Sequence, residues 1–336
     1  MATVSVPLGN AAIGGVNYLE EINRLRKERN AVILAHYYQE PAIQELADFV
    51  GDSLDLSRKA AATDADVIVF CGVRFMAEVA KILSPEKTVV LPDMEAGCSL
   101  EDSCPPEQFA AFRKKYPDHL CLTYINCSAD IKALSDIIVT SSNAEHILNQ
   151  LPADQQVMMA PDQHLGSYLA KKTGRDMVLW PGSCIVHERF SEKELIRLKA
   201  ENPKAPVAAH PECPEAILNH ADHVGSTSSI LKFVLEDDAD TFIIATEPHI
   251  IHQMKKSAPH KNFIDAPGMD DSCSCNECPY MGLNTLEKIY LCLRDLDPQI
   301  HVDEELRAKA LTPLEKMMEL SPPMAQNRPQ DNGRAY

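Results

Sequence analysis

The chain has 336 residues, 45% of them hydrophobic, with a formal net charge of −17 and eleven cysteines. That length and apolar content supply packed cores for two or three domains, and the acidic balance disfavours nucleic acid and anionic membranes, which need basic patches on the partner to release counterions. No apolar run approaches membrane-span length and the N-terminal MATVSVPLGNAAIGG lacks the basic start of a secretory signal, so a cytoplasmic protein is expected, and its cysteines are read as core, metal-binding or redox residues rather than as a disulfide framework.

In chain order, an amphipathic helix (YLEEINRLRKER) leads into an apolar strand with a polar tip (AVILAHYYQ). A helix follows that carries a hydroxyl near its start (GDSLDLS), then a second strand (ADVIVFCG), another helix (RFMAEVAKILSP) and a third strand (TVVLPD) ahead of AGCSL. The same order recurs as PEQFAAFRKKY, HLCLTYIN, VTSSNA, QQVMMAPD, LGSYLAKKTG and DMVLWPG, ending at GSCIVH. It recurs again as SEKELIRLKAEN with its Ser-x-x-Glu capping box, APVAAHPE, GSTSS, DTFIIATE, HIIHQMKKSAP and KNFIDAPG, ending at CNECPYM. The strand starts repeat about every 87 residues.

Strands that are apolar on both faces and alternate with helices indicate parallel βαβ units. The expected fold is therefore α/β, with three homologous small sandwich domains, each around a parallel sheet, in pseudo-three-fold arrangement about a central active site. The repeats are placed at 17–104, 105–190 and 191–300, the third holding the last repeated cysteine. A helix follows over 301–320, broken by a proline and packed back across the first domain. Residues 321–336 read as a polar, Pro-rich, disordered tail, and the first 15 or so as a loose arm.

In parallel sheets functional groups gather beyond the carboxyl ends of the strands. There the tips supply His36 with Tyr38, Tyr124 with Asn126, and His210 with Glu212, donors for carboxylates and groups able to shuttle protons. Ser53, Ser141 and Thr227 follow the tips at one offset of roughly 17 residues. Each reads either as a plain N-cap or, with its helix start, as a cradle for phosphate or carboxylate. The other histidines, among them His146, His164, His220, His223, His249 and His252, lack this symmetry and are expected at the surface.

The cysteines separate by the same criterion. Cys71, Cys121 and Cys292 lie in or beside apolar elements and read as core. Cys104, Cys127 and Cys213 lie in polar loops and stay unassigned. Cys273, Cys275 and Cys278 form C-x-C-x-x-C, a pattern of metal or redox chemistry with no second CxxC to complete a zinc ribbon. Cys98, Cys184 and Cys278 alone recur in register, and a pseudo-three-fold molecule brings them together as a ligand set. Three thiolates suit either a zinc ion or an iron–sulfur cluster with one open iron, and sulfur-only ligation without a nearby histidine favours the cluster. An open iron is a Lewis acid suited to dehydration chemistry. Two other classes remain, a Cys₃ zinc hydrolase and a redox or iron–sulfur sensor switching through Cys275 and Cys278.

The ordered motifs AHYYQEPAIQELADFVGDSLDLS, FCGVRFMAEVAKILSPEKTVVLPDMEAGCSL, TYINCSAD, VTSSNA, APDQHLG, GSCIVHERF, HPEC, GSTS and CPYMGLNTLEK, spread over about residues 20 to 295, resemble those of the bacterial quinolinate synthases of NAD biosynthesis. The resemblance implies a [4Fe–4S] cluster on Cys98, Cys184 and Cys278. It also implies condensation of iminoaspartate with dihydroxyacetone phosphate to quinolinate, phosphate and two waters. By the same resemblance His36, Ser53, Tyr124, Asn126, Ser141, His210, Glu212 and Thr227 occupy substrate-binding positions. Tyr38 matches a tyrosine of the acid–base steps, alongside His36 and Glu212. One departure is Cys127, where many members carry Ser or Thr. No glycine-rich dinucleotide fingerprint is present, and no hydride cofactor is expected. The expected upstream supplier is L-aspartate oxidase or aspartate dehydrogenase. The sequence leaves the oligomeric state open, a homodimer among the alternatives.

Overall fold

The computed structural model describes residues 12–13, 16–269 and 276–322. Most of the N-terminal arm (residues 1–11 and 14–15), Cys273 and Cys275 of the cysteine-rich motif, and the tail from 323 onward lie outside the described residues. No helix among the described residues is long and apolar enough to cross a membrane.

Three four-stranded parallel sheets carry the fold, as the repeated α/β pattern implies. In the first, Phe49–Gly51 pairs with Ala31–His36, which pairs with Val67–Cys71, which pairs with Thr88–Val90. The second has the same order with Ile137–Val139, Leu120–Tyr124, Val157–Ala160 and Met177–Leu179. The third repeats it with His223–Val224, Val207–Ala209, Thr241–Ala245 and Asn262–Asp265. Each sheet thus has one strand more than the three expected per repeat. The additional strands Phe49–Gly51, Ile137–Val139 and His223–Val224 span two or three residues on a sheet edge, too short to show the periodicity by which a strand is read. They matter because each one delivers the chain to its hydroxyl.

The two central strands of the first sheet, Ala31–His36 and Val67–Cys71, are buried along their whole length. Alternate side chains enter different cores. Val32, Leu34, Ile68 and Phe70 join a cluster that includes Leu122, Val139 and Met159 of the second unit. Ile33, Ala35, Val69 and Cys71 join one that includes Phe242, Ile244 and Ile250 of the third. At about 1.5–3 kcal/mol per fully buried large aliphatic or aromatic side chain, these shared clusters hold the three sheets around a common centre.

After the third unit the chain returns to the first. Leu286–Asp295, capped by Thr285, packs on Tyr18–Glu28 and Val67–Cys71. The last helix, Glu304–Leu320, runs unbroken through Pro313. It lies on Ala129–Ala133 and Ile137–Val139 of the second unit as well as on Arg74–Leu83 of the first. The unbroken course corrects the expectation of a break at the proline, and the expected packing on the first unit is joined by packing on the second. A proline inside a helix costs roughly 3 kcal/mol. Here the ring itself is buried with Ala310, Leu314 and Met317 at helical spacing, which offsets the lost backbone bond.

Candidate active site

The carboxyl ends of the three sheets open on one cavity, and all twelve candidate residues line it. The strand tips place the first group. Ala31–His36 ends at His36, whose Nδ1 accepts the Tyr38 backbone N–H at 3.2 Å. The third unit repeats the device, with the Glu212 N–H directed at His210 Nδ1 over 3.4 Å. An Nδ1 used as acceptor leaves the proton on Nε2. Burial pushes the His36 imidazole down to about 4 and that of His210 to about 3, so both are neutral N–H donors near neutral pH. His210 Nε2 stands 3.2 Å from Ser141 Oγ. In the second unit the tip is Tyr124 with Asn126, whose Oδ1 is buried and has no hydrogen-bond partner.

Glu212 is the hub. Its Oε1 accepts the Tyr124 hydroxyl at 2.6 Å, its Oε2 lies 3.1 Å from His187 Nδ1, and the carboxylate is 3.7 Å from His210 Nδ1. Burial alone would raise its carboxyl. The rings of His187 and His210 and the Tyr124 hydroxyl outweigh that and hold it below the usual carboxylate range. Burial and the Glu212 charge push the phenols of Tyr38 and Tyr124 well above their ordinary value. A fixed carboxylate beside hydroxyl and imidazole groups can exchange protons with a bound molecule without itself being exposed to water.

The three hydroxyls are not helix caps. Asp52 caps Ser53–Ala62, its carboxylate accepting from Leu54 and Asp55 N–H. Ser226 caps Thr227–Glu236 by accepting from Ser229 N–H. Ser53 and Thr227 therefore sit one position inside their helices, and Ser141 lies ahead of the cap residue Asn143 of Ala144–Gln150. Relieved of capping, all three point at the cavity. Asp52 also ties the units together by accepting the Ser142 hydroxyl at 2.5 Å.

Of the nine described cysteines only Cys98, Cys184 and Cys278 are partly exposed; Cys71, Cys104, Cys121, Cys127, Cys213 and Cys292 are buried. Each of the three opens a short helical turn: Ser99–Asp102, His187–Arg189 and Met281–Leu283. Their sulfurs face backbone N–H groups, Glu101 and Leu100 for Cys98, His187 for Cys184, and Met281 and Tyr280 for Cys278. Burial nevertheless pushes the thiols up, that of Cys278 to about 11. A cation held among the three sulfurs would reverse that shift, and N–H groups directed at sulfur are the surroundings that thiolates bound to iron–sulfur clusters use. The donor set fits such a cluster.

His187 is the residue that sequence reasoning missed. It is 2% exposed, in place of the surface position expected of the unrepeated histidines. It also corrects the premise that no histidine stands near the sulfurs, since ligand atoms of Cys184, His187 and Glu212 all lie within 4.8 Å of one another. Its spacing in the sequence as Cys184-x-x-His187 was the available signal. Glu247, 1% exposed, was missed too. It holds the His249 ring at 2.7 Å and faces the Cys278 backbone N–H at 3.4 Å, bracing the loop that carries the third sulfur.

The chain is 62% identical over 300 residues to quinolinate synthase of Thermosynechococcus vestitus, which covers 89% of this chain and 94% of that one. It is 61% identical over 300 residues to the quinolinate synthase of Microcystis aeruginosa, with 89% and 94% covered, and 59% identical over 302 residues to that of Trichodesmium erythraeum, with 90% and 93% covered. The model of the family described as Quinolinate synthetase A protein matches residues 20–319, and with that match the chain belongs to the quinolinate synthetase A family.

Proposed function

We propose that the chain is a quinolinate synthase of NAD biosynthesis that condenses iminoaspartate with dihydroxyacetone phosphate, releasing phosphate and two waters. The observation that carries this reading is the convergence of Cys98, Cys184 and Cys278, one from each unit, on the cavity that also holds the neutral histidines and Glu212. When bound by those sulfurs, a [4Fe–4S] cluster supplies an open iron as a Lewis acid for loss of water.

The protein's own groups do the rest. His36 and His210 present Nε2–H donors, and Ser53, Ser141 and Thr227 add hydroxyls beside helix starts, so phosphate and carboxylate groups are bound without a cationic side chain among these donors. Asn126 offers an unpartnered carbonyl to an N–H or O–H of the substrate. Tyr38, His36 and Glu212 are assigned the proton transfers of condensation, carbonyl isomerisation and ring closure. Iminoaspartate implies an aspartate-oxidising supplier, L-aspartate oxidase or aspartate dehydrogenase, and a cytoplasmic setting in which thiols stay reduced.

Anaerobic purification with iron and sulfide analysis and a quinolinate assay tests the reading. Four irons and four sulfides per chain with quinolinate formed is the expected result. The grouping of Cys184, His187 and Glu212 favours a zinc hydrolase as the second reading. A colourless zinc protein that forms no quinolinate would replace the first reading with the second.

A further inference from the structure

Each strand tip is followed by a short helix ahead of the edge strand: Pro41–Leu46, Ala129–Ala133 and Glu215–Leu218. The second of them carries Lys132, a lysine with none of its surface exposed. Its Nζ donates to the Ile125 carbonyl at 3.1 Å and to the Cys127 carbonyl, on either side of Asn126. The turn is tight, since the Cys127 N–H also bonds back to Ile125 O at 2.8 Å. The Ile125 side chain belongs to one core and that of Cys127 to another, while Asn126 lines the cavity. Phe75, also of the cavity wall, places its ring 5.4 Å from the ammonium. Taking an ammonium out of water costs several kcal/mol, a cost that an apolar side chain in the same space would not carry.

The first unit builds the same contact with a neutral side chain. Gln44 is fully buried, and its Nε2 donates to the Tyr37 carbonyl at 2.9 Å and the Gln39 carbonyl at 2.7 Å, on either side of Tyr38. In both units the donor stands seven residues after the first carbonyl and five after the second. The Gln44 amide is itself fixed, its Nε2 also reaching His249 O at 3.0 Å and its Oε1 accepting from Gln253 at 2.8 Å. In the third unit the matching residue is Leu218, which has no side-chain donor, and Glu212 is held instead through its own carboxylate by the Tyr124 hydroxyl. A donor on both flanking carbonyls fixes the two planar peptides around the residue between them, and with them the direction of its side chain. We propose that Lys132 and Gln44 are positioning residues, one clamp built twice, which pin the peptides around Asn126 and Tyr38 and so set where the carboxamide and the phenol meet substrate. This rests on the assignment of substrate binding to Asn126 and proton transfer to Tyr38. Cys127 then acts through its carbonyl, and its thiol, packed with Phe109 and Met158, takes no part. Because an ammonium and an amide serve alike, the donors and not the charge carry the effect.

The test compares cluster-loaded wild type, Lys132→Leu and Gln44→Leu, leucine being the residue the third unit carries at this place, with crystal structures of each. Both variants are expected to keep the cluster absorbance. Lys132→Leu should raise KM for one substrate roughly tenfold with kcat within about threefold of wild type. Gln44→Leu should lower kcat roughly 10- to 100-fold, the effect of misplacing a reacting group by about 1 Å. A double-mutant cycle ties each clamp to its own target: in an Asn126→Ala background Lys132→Leu should add less than about twofold, whereas Gln44→Leu should add its whole effect. In the crystals the Asn126 carboxamide should be displaced in Lys132→Leu and the Tyr38 ring in Gln44→Leu, each variant leaving the other group in place. Lys132→Met and Gln44→Met, unbranched and equally without a donor, take the place of a leucine variant that fails to load its cluster, with the same expected results. Unmoved side chains, kinetic constants within about twofold of wild type, or a Lys132→Leu effect that adds in full to Asn126→Ala would overturn the proposal, since a lysine that only supports the fold weakens both backgrounds alike. A wild type that forms no quinolinate would instead remove the reaction assigned above, and the crystal positions would still decide on the clamps.

Discussion

Cys71 and Cys98 belong to the same unit and stand in different chemistries. Cys71 closes a fully buried strand inside an apolar core, where burial pushes its thiol up and its neighbour Cys292 is another buried thiol. Cys98 opens a helical turn at the cavity, facing backbone N–H groups and the sulfur of Cys278. The contrast is one of place, unit core against cavity rim. It teaches that residue type says little about role here. What distinguishes rim from core is the direction in which each strand tip delivers its side chain.

The sharpest way to break the contrast is at sulfur. Cys98→Ala, Cys184→Ala and Cys278→Ala are each expected to abolish cluster absorbance and quinolinate formation. Cys71→Ala and Cys292→Ala should leave both largely intact, at a stability cost typical of a small core truncation. Visible absorbance of anaerobically reconstituted protein checks this, and a colourless variant with normal activity would dissolve the distinction.

Glu212→Gln tests the rim at its hub. The amide keeps the shape and the Tyr124 contact but cannot carry a proton, so turnover should fall 10²- to 10⁴-fold with the cluster retained. Near-normal turnover would move the proton-transfer role to Tyr38.

Titration separates the two kinds of histidine. His36 and His210 have folded values of about 4 and about 3, below the ordinary 6.5, so the unfolded chain binds more protons between those limits. Their contribution is fully present above pH 6.5 and is lost as the pH falls toward 4 and 3, by about 1.4 kcal/mol per histidine per pH unit. Glu212, held low, adds to the acid loss below its unfolded value. His249 behaves oppositely. Its hydrogen bond to Glu247 raises it, so its contribution is present below pH 6.5 and is lost as the pH rises through the raised value. Denaturant midpoints from pH 4 to 8 should flatten on the acid side in His36→Asn and on the alkaline side in His249→Asn; an unchanged acid slope in the first would mean the His36 ring is not held neutral.

The smallest effect is expected at a helix start. Asp52→Ala should cost about 1 kcal/mol of stability, the worth of an N-cap, whereas Ser53→Ala should leave stability nearly unchanged and raise KM for one substrate. Equal stability losses at both, with unchanged kinetics, would make Ser53 part of the cap.

The sequence by itself determined the three-fold repeat, the parallel α/β units and the twelve residues that meet at the cavity, because apolar periodicity and the spacing of tips, hydroxyls and cysteines are local features of the chain. The six buried cysteines differed in legibility for the same reason: Cys71, Cys121 and Cys292 sit in apolar runs, while Cys104, Cys127 and Cys213 look polar in sequence and are covered only by neighbouring elements. Tertiary structure alone decided the edge strands, whose two or three residues carry no period, and the course of the last helix, since a buried face outweighs the proline within it. It also decided which neighbour caps each helix, leaving Ser53 and Thr227 free. The placing of His187 belongs to the same class. It does not repeat in register, and its partner Glu212 lies in another unit, so only the packing of three sheets around one centre brings the two within hydrogen-bonding reach.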